Sequence, residues 1–341
     1  MLVWSPEVLK ECAAVERVAD IGGVELIARR YRAFGEHCAS AGSPEYARIG
    51  CALAEDEQVL GLVASLPAGN KRQPNLLLGA VRFLGGPVSS WEEFRGWVVA
   101  HWGRVRQVVL ERYTQTNEVR RCATLLPVLA GLEGPLALVE VGASAGLCLY
   151  PDRYRYSFDG GVPIGPRQSP VLLECETFGP VPVPERVPEV VWRAGIDMNP
   201  LDVRSESDVR WLESLIWPGP QEAGRRERLR AAARVVAQDP PWLVEGDLVE
   251  RLHRVVERAP SGARVVVLHS AVLAYLSAER CEAFVDAVGG LGGHWVSNEG
   301  AGVVPGLVGP LPGREGEFVV GVDGRVVGFA GEHGQRLTWV G

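Results

Sequence analysis

The sequence lacks the features that would place the protein in a membrane, in an oxidising compartment or on nucleic acid. Its seven cysteines are never closer than 13 residues apart, so the paired motifs of zinc sites and redox-active thiols are absent. No apolar run reaches the ~18 residues of a transmembrane helix, and no signal-peptide core is evident. The formal charge of -7, without a dense basic cluster, argues against a nucleic-acid partner. We therefore expect a soluble cytoplasmic protein with reduced, mostly buried cysteines.

The first part of the chain has a helical pattern. Of its 341 residues, 47% are hydrophobic and 23% are charged, which is ordinary for a globular protein with one large or two smaller cores. Apolar residues recur at helical spacing over Val24–Cys38, and Ser43-Pro44 is typical of a helix start. A capping box begins at Ser90, and another helix is expected over Asn117–Leu132. The pattern predicts an all-helical N-terminal domain over residues 1–134.

From residue 135 onwards, strands alternate with helices. This alternation predicts a mostly parallel sheet with helices on both faces. Two final strands around Asp323-Gly324 predict an antiparallel C-terminal hairpin with a type I′ turn. The fold class is therefore α/β over 135–341, with a proline-rich insertion at about 150–190 that contains two strand-like pieces. The expected strands of the main sheet are Leu136–Val141, Val190–Ile196, Trp242–Glu245, Arg264–His269 and His294–Ser297, and the expected helices are Glu206–Trp217, Gln221–Ala237, Leu248–Arg258 and Ala278–Val288.

One segment, Leu136–Leu147, combines an apolar run, a carboxylate and a series of small residues. This pattern is typical of a buried parallel strand that turns sharply into a helix while its backbone contacts a ligand. From Glu140 the letters give E-x-G-x-S-x-G, which suits a nucleoside cofactor, and from Gly142 they give G-x-S-x-G, the nucleophile elbow of hydrolases. The two interpretations assign different chemistry to the same turn.

A hydrolase would use Ser144 as its nucleophile. The nucleophile strand of such enzymes follows several other strands and an oxyanion loop, whereas the residues before Glu140 are helical in pattern. A strand that directly follows a helical region is therefore an unfavourable position for a nucleophile elbow. Acidic and histidine residues do follow in the usual order, among them Asp247 and His294, so the order alone does not exclude a triad.

A cofactor site would use the turn and the acids that follow neighbouring strands. Small side chains let backbone amides approach a ligand, and carboxylates at strand ends bind ribose hydroxyls. Asp197, with Asn199, ends the second strand, and Asp247 follows Gly246 after the third, where it suits an adenine amino group. Each acid also has a purely structural alternative: a paired buried acid at Glu140, an Asx turn at Asp197, or a helix cap at Asp247. The turn residues assigned to the cofactor are Gly142, Ala143, Ser144 and Gly146.

With these residues in place, the segment from about 135 to 341 resembles the class I methyltransferases that use S-adenosylmethionine. The resemblance implies a Rossmann-like fold and S-adenosylmethionine as cofactor. It departs from the usual pattern at Ser144, where a glycine is common, and in the long segment before Asp197. The whole chain also resembles a bacterial family known as domain of unknown function 2332, through motifs that include Pro74-Asn75-Leu76-Leu77, Thr116 to Arg121, Glu140 to Leu147, Gly195 to Asp202, Gly246-Asp247, Leu268 to Val272 and Trp295 to Gly300.

Further polar residues follow the later strands. His269 ends the fourth strand, where its near-neutral pKa suits a general base, although a core histidine is an equal alternative. Ser270 and Tyr275 are expected at the same opening. Asn298 and Glu299 follow the fifth strand and either bind a methyl acceptor or form a polar turn. One turn of the expected helix, just before its apolar residues, contains Asn117, Glu118 and Arg121. These three side chains either close over the cofactor or form a cap with an ion pair.

The sequence therefore predicts a methyltransferase that uses S-adenosylmethionine and acts on an unidentified small molecule between the helical and Rossmann-like domains. Asn199 and Asp202 offer oxygen ligands that suit magnesium, but without a second acidic cluster no metal site is expected. Two other functions remain open: a serine hydrolase that uses Ser144, and a nucleotide-binding protein without turnover. The methyl acceptor and the oligomeric state are not predicted.

Overall fold

A computed structural model describes residues 23–115, 118–312, 314 and 316–341. Within these residues the chain forms two compact units. The first unit contains residues 23–115 and 205–227, and the second contains the remaining described residues. This division differs from the boundary expected at residue 134, because a helix that begins at Arg121 packs on strands of the second unit. Asn117 lies outside the described residues.

The helices are numbered in chain order. Among the described residues they are α1 (Val24–Ser40), α2 (Pro44–Leu53), α3 (Glu57–Ala64), α4 (Pro74–Phe83), α5 (Trp91–Glu111), α6 (Arg121–Gly131), α7 (Glu206–Ser214), α8 (Glu222–Val236), α9 (Leu248–Val256) and α10 (Ala278–Gly289). None of these helices is long and apolar enough to cross a membrane.

The first unit contains helices α1 to α5 and α7 with the start of α8. The capping box at Ser90 is confirmed, because Ser90 Oγ accepts a hydrogen bond from the Glu93 amide at 3.3 Å. Trp217 packs its ring edge against Phe34, with the ring centroids 5.4 Å apart. This aromatic contact explains why residues 205–227 belong with the first five helices, although the strand–helix alternation grouped them with the sheet.

The strands of the second unit form one ten-stranded sheet within the described residues. They lie in the order β2-β3-β10-β9-β8-β7-β6-β1-β4-β5. Their bounds are β1 (Leu136–Val141), β2 (Arg155–Phe158), β3 (Leu172–Phe178), β4 (Val190–Asp197), β5 (Trp242–Glu245), β6 (Arg264–Ser270), β7 (His294–Gly300), β8 (Phe318–Val322), β9 (Arg325–Ala330) and β10 (Arg336–Trp339).

Most neighbouring strands are parallel, as predicted. Strands β5, β4, β1, β6 and β7 pair in parallel, whereas β8 and β9 form an antiparallel hairpin beside β7. Asp323 and Gly324 have φ values of 49° and 81°, which confirms the type I′ turn because both central residues of that turn need positive φ. The two strand-like pieces of the insertion are confirmed as β2 and β3, which extend the same sheet beyond β10.

The prediction of a helix directly after β1 is wrong. The turn at residues 142–146 leads into a single 3-10 turn over Leu147–Leu149, and no α-helix separates β1 from β2 in this described stretch. Residues 147–150 are all buried, so the segment has no polar face to present to solvent, as a surface helix would. Pro151 then disfavours helical continuation.

Strand β1 has a different environment on each of its faces. Val139 and Val141 belong to an apolar cluster that includes side chains of α9 and α10. Because successive side chains alternate between faces, Glu140 lies on the opposite face, which α6 covers farther along the sheet through its contacts with β7 and β8. We call the side of Val141 the α10 face and the side of Glu140 the α6 face.

We expect the exchange Gly324→Ala to lower the free energy of unfolding by roughly 1 kcal/mol, because a side chain at positive φ is strained. Space is not the cause, since no atom lies within 4 Å of the added Cβ. Urea unfolding followed by circular dichroism measures the change. Gly289→Ala is the control, because Gly289 is helical and its added Cβ also meets open space. Equal effects of the two exchanges would contradict the assigned turn.

Candidate functional site at the carboxyl edge of the sheet

The polar residues predicted from sequence come together at the carboxyl ends of β1, β4, β6 and β7. Glu140 lies on β1, Asp197 is the last residue of β4, and Ser270 is the last residue of β6. Asn298 lies on β7 directly opposite Ser270. Open parallel sheets bind ligands at this edge, where the strand order changes direction. The change occurs here between β1 and β6, which both border the site.

Asp197 holds the turn after β1. Its Oδ2 accepts a hydrogen bond from the Ser144 amide at 2.7 Å, and its Oδ1 accepts one from the Asn199 amide at 2.8 Å. The Ile196 carbonyl accepts the amides of Gly142 and Ala143 at 2.8 and 3.2 Å. The end of β4 therefore fixes the turn through both its backbone and the Asp197 carboxylate.

The small residues of the turn contact other parts of the protein. A Cβ on Gly142 would lie 2.4 Å from the Val272 side chain, and one on Gly146 would lie 2.8 Å from Pro241. The Gly146 amide donates to the Ala143 carbonyl at 2.7 Å. Close packing within the chain thus explains both glycines, and no local sequence pattern predicts their contacts with Val272 and Pro241.

Ser144 has an unusual backbone conformation. Its φ of 52° lies in the left-handed region, which costs a residue with a side chain about 1–2 kcal/mol. Asp197 and the Leu201 amide, which donates to the Ser144 carbonyl at 3.0 Å, hold it there. Its hydroxyl oxygen is buried and has no hydrogen-bond partner among the described residues. Ser144 therefore carries both backbone strain and a polar atom without a structural task, a combination typical of functional sites.

Glu140 is a buried acid on the α6 face, only 5% exposed. Its Oε2 is buried and has no hydrogen-bond partner among the described residues. Burial raises the pKa of Glu140 well above its usual range, with smaller contributions from Cys148 and Asp197, while Arg121 acts in the opposite direction. This carboxyl therefore resists ionisation.

Arg121 and Asn298 both donate hydrogen bonds to Ser270. Arg121 donates through Nη1 to the Ser270 carbonyl at 3.3 Å and through Nε to the Glu332 carbonyl at 2.9 Å. Asn298 Nδ2 donates to Ser270 Oγ at 2.9 Å. The expectation that Asn298 and Glu299 follow the fifth strand is wrong, because pairing with β8 extends β7 as far as Gly300 and buries both residues.

His269 belongs to a second polar group, on the α10 face. Its Nδ1 lies 2.7 Å from Glu299 Oε1, and its Nε2 accepts a hydrogen bond from Trp295 Nε1 at 2.9 Å. Because indole only donates, Nε2 must be unprotonated and the proton lies on Nδ1, facing Glu299. The same carboxylate oxygen accepts the amides of Val272 and Leu273. His269 thus has the environment of a core histidine. Tyr275, in the turn that follows β6, is 38% exposed.

Asp247 caps helix α9. Its Oδ1 accepts the amides of Val249 and Glu250 at 2.9 and 3.2 Å, and Arg280 forms an ion pair with it. Although burial acts against it, these bonds from Arg280 and the two amides lower the pKa of Asp247. The neighbouring Gly246 amide donates to the Asp197 carbonyl at 2.9 Å.

The remaining predicted residues have protein partners. Glu118 forms a two-point ion pair with Arg228, with both nitrogen–oxygen distances at 3.1 Å, and it precedes α6 rather than lying within it. Asp202 pairs with Arg204 at 2.8 Å. Among the described residues, no group of three histidine, cysteine or acidic side chains is arranged to hold a metal ion.

With this geometry established, comparison with known proteins places the chain in one family. The chain belongs to the family described as an uncharacterized protein conserved in bacteria (DUF2332), whose model matches residues 28–339. No curated protein and no solved structure matches the chain.

We expect Asp197→Asn to lower the free energy of unfolding by about 1–3 kcal/mol, because the amide keeps one acceptor oxygen and leaves one backbone N–H without a partner. Urea titration measures the change. Asp202→Asn is the matched control, because Asp202 likewise accepts a backbone amide, that of Arg204, but does so in an exposed turn where water can replace a lost bond. Equal stabilities of the two variants would contradict the role assigned to Asp197.

We expect Glu140→Gln to stabilise the protein increasingly as the pH rises. The folded-state pKa of Glu140 lies above its unfolded value, so between the two values the folded state binds more protons and the wild type loses stability. The gain is absent below about pH 4, near the unfolded pKa, and grows until the folded pKa is reached. Unfolding titrations across this range measure it, with exposed Glu185→Gln as control. A pH-independent difference would contradict the raised pKa.

Proposed function

We propose that this protein binds S-adenosylmethionine at the carboxyl edge of β1 and β4 and transfers its methyl group to a small molecule. The observation that carries the proposal is the link from Asp197, at the end of β4, to the turn that follows Glu140. Numbered from β1 in chain order, the five parallel strands lie in the order 3-2-1-4-5. Doubly wound nucleotide-binding sheets share this order, with the ligand where the order reverses.

The chain supplies suitable groups for such a ligand on the α6 face. Asp197 lies at the end of β4 beside the turn, and a carboxylate at such a strand end is the group that binds ribose hydroxyls in nucleotide-binding sheets. The Ser144 hydroxyl and the Glu140 carboxyl provide polar atoms beside the turn. Val272 and Pro241 occupy the space next to the two glycines. The proposed ligand contacts are therefore made by the side chains of Asp197, Ser144 and Glu140 and not by the glycine backbone.

The cofactor would supply an activated methyl group, and the protein would align the acceptor with it. The acceptor's lone pair forms the new bond to carbon while the carbon–sulfur pair returns to sulfur, and the acceptor's proton passes to water or a base. We do not assign that proton transfer to His269, because both of its ring nitrogens bind protein groups on the α10 face. In the proposed site, Asp247 caps the start of α9 and is not assigned a contact with adenine.

A serine hydrolase that uses Ser144 receives one supporting observation, the positive φ of that residue. The geometry around it lacks the other parts. No described histidine lies within hydrogen-bond distance of Ser144 Oγ, and the segment after the turn is not the α-helix that a nucleophile elbow requires. We therefore prefer the cofactor site.

Isothermal titration with S-adenosylhomocysteine and S-adenosylmethionine tests the proposal. We expect saturable binding to the wild type and about tenfold weaker binding to Ser144→Ala, the loss of one hydrogen bond. Ser297→Ala is the matched control, because Ser297 is also a buried serine with an unpartnered hydroxyl but lies on the α10 face. We expect it to bind as the wild type does.

Absence of heat with both ligands, or equal affinity of the two serine variants, would contradict the proposed site. A fluorophosphonate probe that labels Ser144 would instead support the hydrolase. Saturable binding without methyl release to any component of a bacterial extract would favour a nucleotide-binding protein without turnover.

A further inference from the structure

Arg121 is a buried cation without a carboxylate partner. It is 2% exposed, and its two hydrogen bonds go to neutral carbonyl groups. Its Nη2 is buried and has no hydrogen-bond partner among the described residues. Two other arginines of this unit differ, since Arg193 pairs with Asp152 at 2.5 Å and Arg228 pairs with Glu118.

An unpaired buried guanidinium is costly because it cannot lose its proton. Its position adds to the cost, since Arg121 is the first residue of α6 and the positive end of a helix dipole disfavours cations. The Phe318 ring, 5.1 Å from the guanidinium carbon, offsets only part of this cost. Both the charge and the helix end favour an anionic group at Nη2.

Two acceptor atoms without partners accompany this donor. Asn298 Oδ1 and Glu140 Oε2 are buried and have no hydrogen-bond partner among the described residues. Asn298 shares Ser270 with Arg121 as a hydrogen-bond neighbour, and Glu140 lies close enough to Arg121 for their charges to interact. All three side chains are at most 5% exposed.

We propose that Arg121, Asn298 and Glu140 bind the head group of an α-amino acid. The ligand's carboxylate accepts a hydrogen bond from Arg121 Nη2, and its ammonium donates to Asn298 Oδ1 and Glu140 Oε2. An ammonium suits this pair of acceptors better than a hydroxyl, because it has three N–H groups and a hydroxyl has one donor. The head group thus satisfies a cation and two acceptors that the protein leaves unpaired.

This inference rests on the proposed methyltransferase function, for which it names the class of methyl acceptor. Arg121 contacts the end of β6 and the Phe318 ring of β8. The proposed nucleoside contact at Asp197 lies on β4, on the other side of β1. The amino-acid group is therefore assigned to the acceptor and not to the methionine end of the cofactor.

Thermal-shift and calorimetric titrations with each standard L-amino acid in turn test the inference, with and without saturating S-adenosylhomocysteine. We expect at least one amino acid to bind saturably, and we expect its amide and its deaminated carboxylic acid to bind at least tenfold more weakly. Arg121→Gln abolishes binding, Arg121→Lys retains part of it, and the exposed Arg153→Gln leaves it unchanged. If Arg121→Gln does not fold, Asn298→Ala tests the ammonium contact.

Failure of every amino acid to bind, or equal binding to wild type and Arg121→Gln, would overturn the inference. The methyltransferase proposal would survive this result if S-adenosylhomocysteine still bound. Amino-acid binding without S-adenosylhomocysteine binding would overturn the methyltransferase proposal alone. If amino acids compete with S-adenosylhomocysteine and Arg121→Gln weakens both, the cluster holds the cofactor's methionine end, and the acceptor assignment is wrong.

Discussion

The carboxylate of Asp197 connects the ends of the neighbouring strands β1 and β4, and the geometry of the carboxyl edge depends on that connection. In many α/β proteins a helix that begins directly after the first strand fixes the turn at its start. Here that segment is a 3-10 turn, and the end of β4 holds the turn instead, through the Ile196 carbonyl and the Asp197 carboxylate. Ser144 can therefore keep a strained conformation beside Glu140.

The two faces of the sheet use their buried polar groups differently. On the α10 face, His269, Glu299 and Trp295 bind one another, and Glu299 also anchors the segment after β6. Both faces leave buried oxygen atoms without hydrogen-bond partners among the described residues, Ser297 Oγ and Glu299 Oε2 on the α10 face and Asn298 Oδ1 and Glu140 Oε2 on the α6 face. The α6 face also leaves a nitrogen of a cation, Arg121 Nη2, without a partner. A buried charge without an ionic partner costs more than an unpartnered neutral group, unless a ligand completes its contacts. This difference directs the search for function to the α6 face.

The sequence predicted those parts of the fold that depend on local patterns. Apolar runs and turn residues placed the strands of the parallel sheet and the hairpin at Asp323 correctly, because strand periodicity and turn chemistry are local. The environment of His269 was undecided, because its partners lie 26 and 30 residues away. The contact between Arg121 and Ser270 spans 149 residues. No sequence pattern distinguishes a paired buried arginine from an unpaired one.

After β1 the chain forms β2 and β3 at the opposite end of the sheet and then returns to form β4 beside β1. Strand β3 obtains its second neighbour only from β10, through contacts such as the Glu176 amide with the Gln335 carbonyl at 3.0 Å. On the ribosome, β3 is made long before β10, and until then it has one edge without backbone partners. An open strand edge can pair with other chains. This part of the sheet can therefore be completed only after β10 has been synthesised, and until then the nascent chain exposes the open edge of β3.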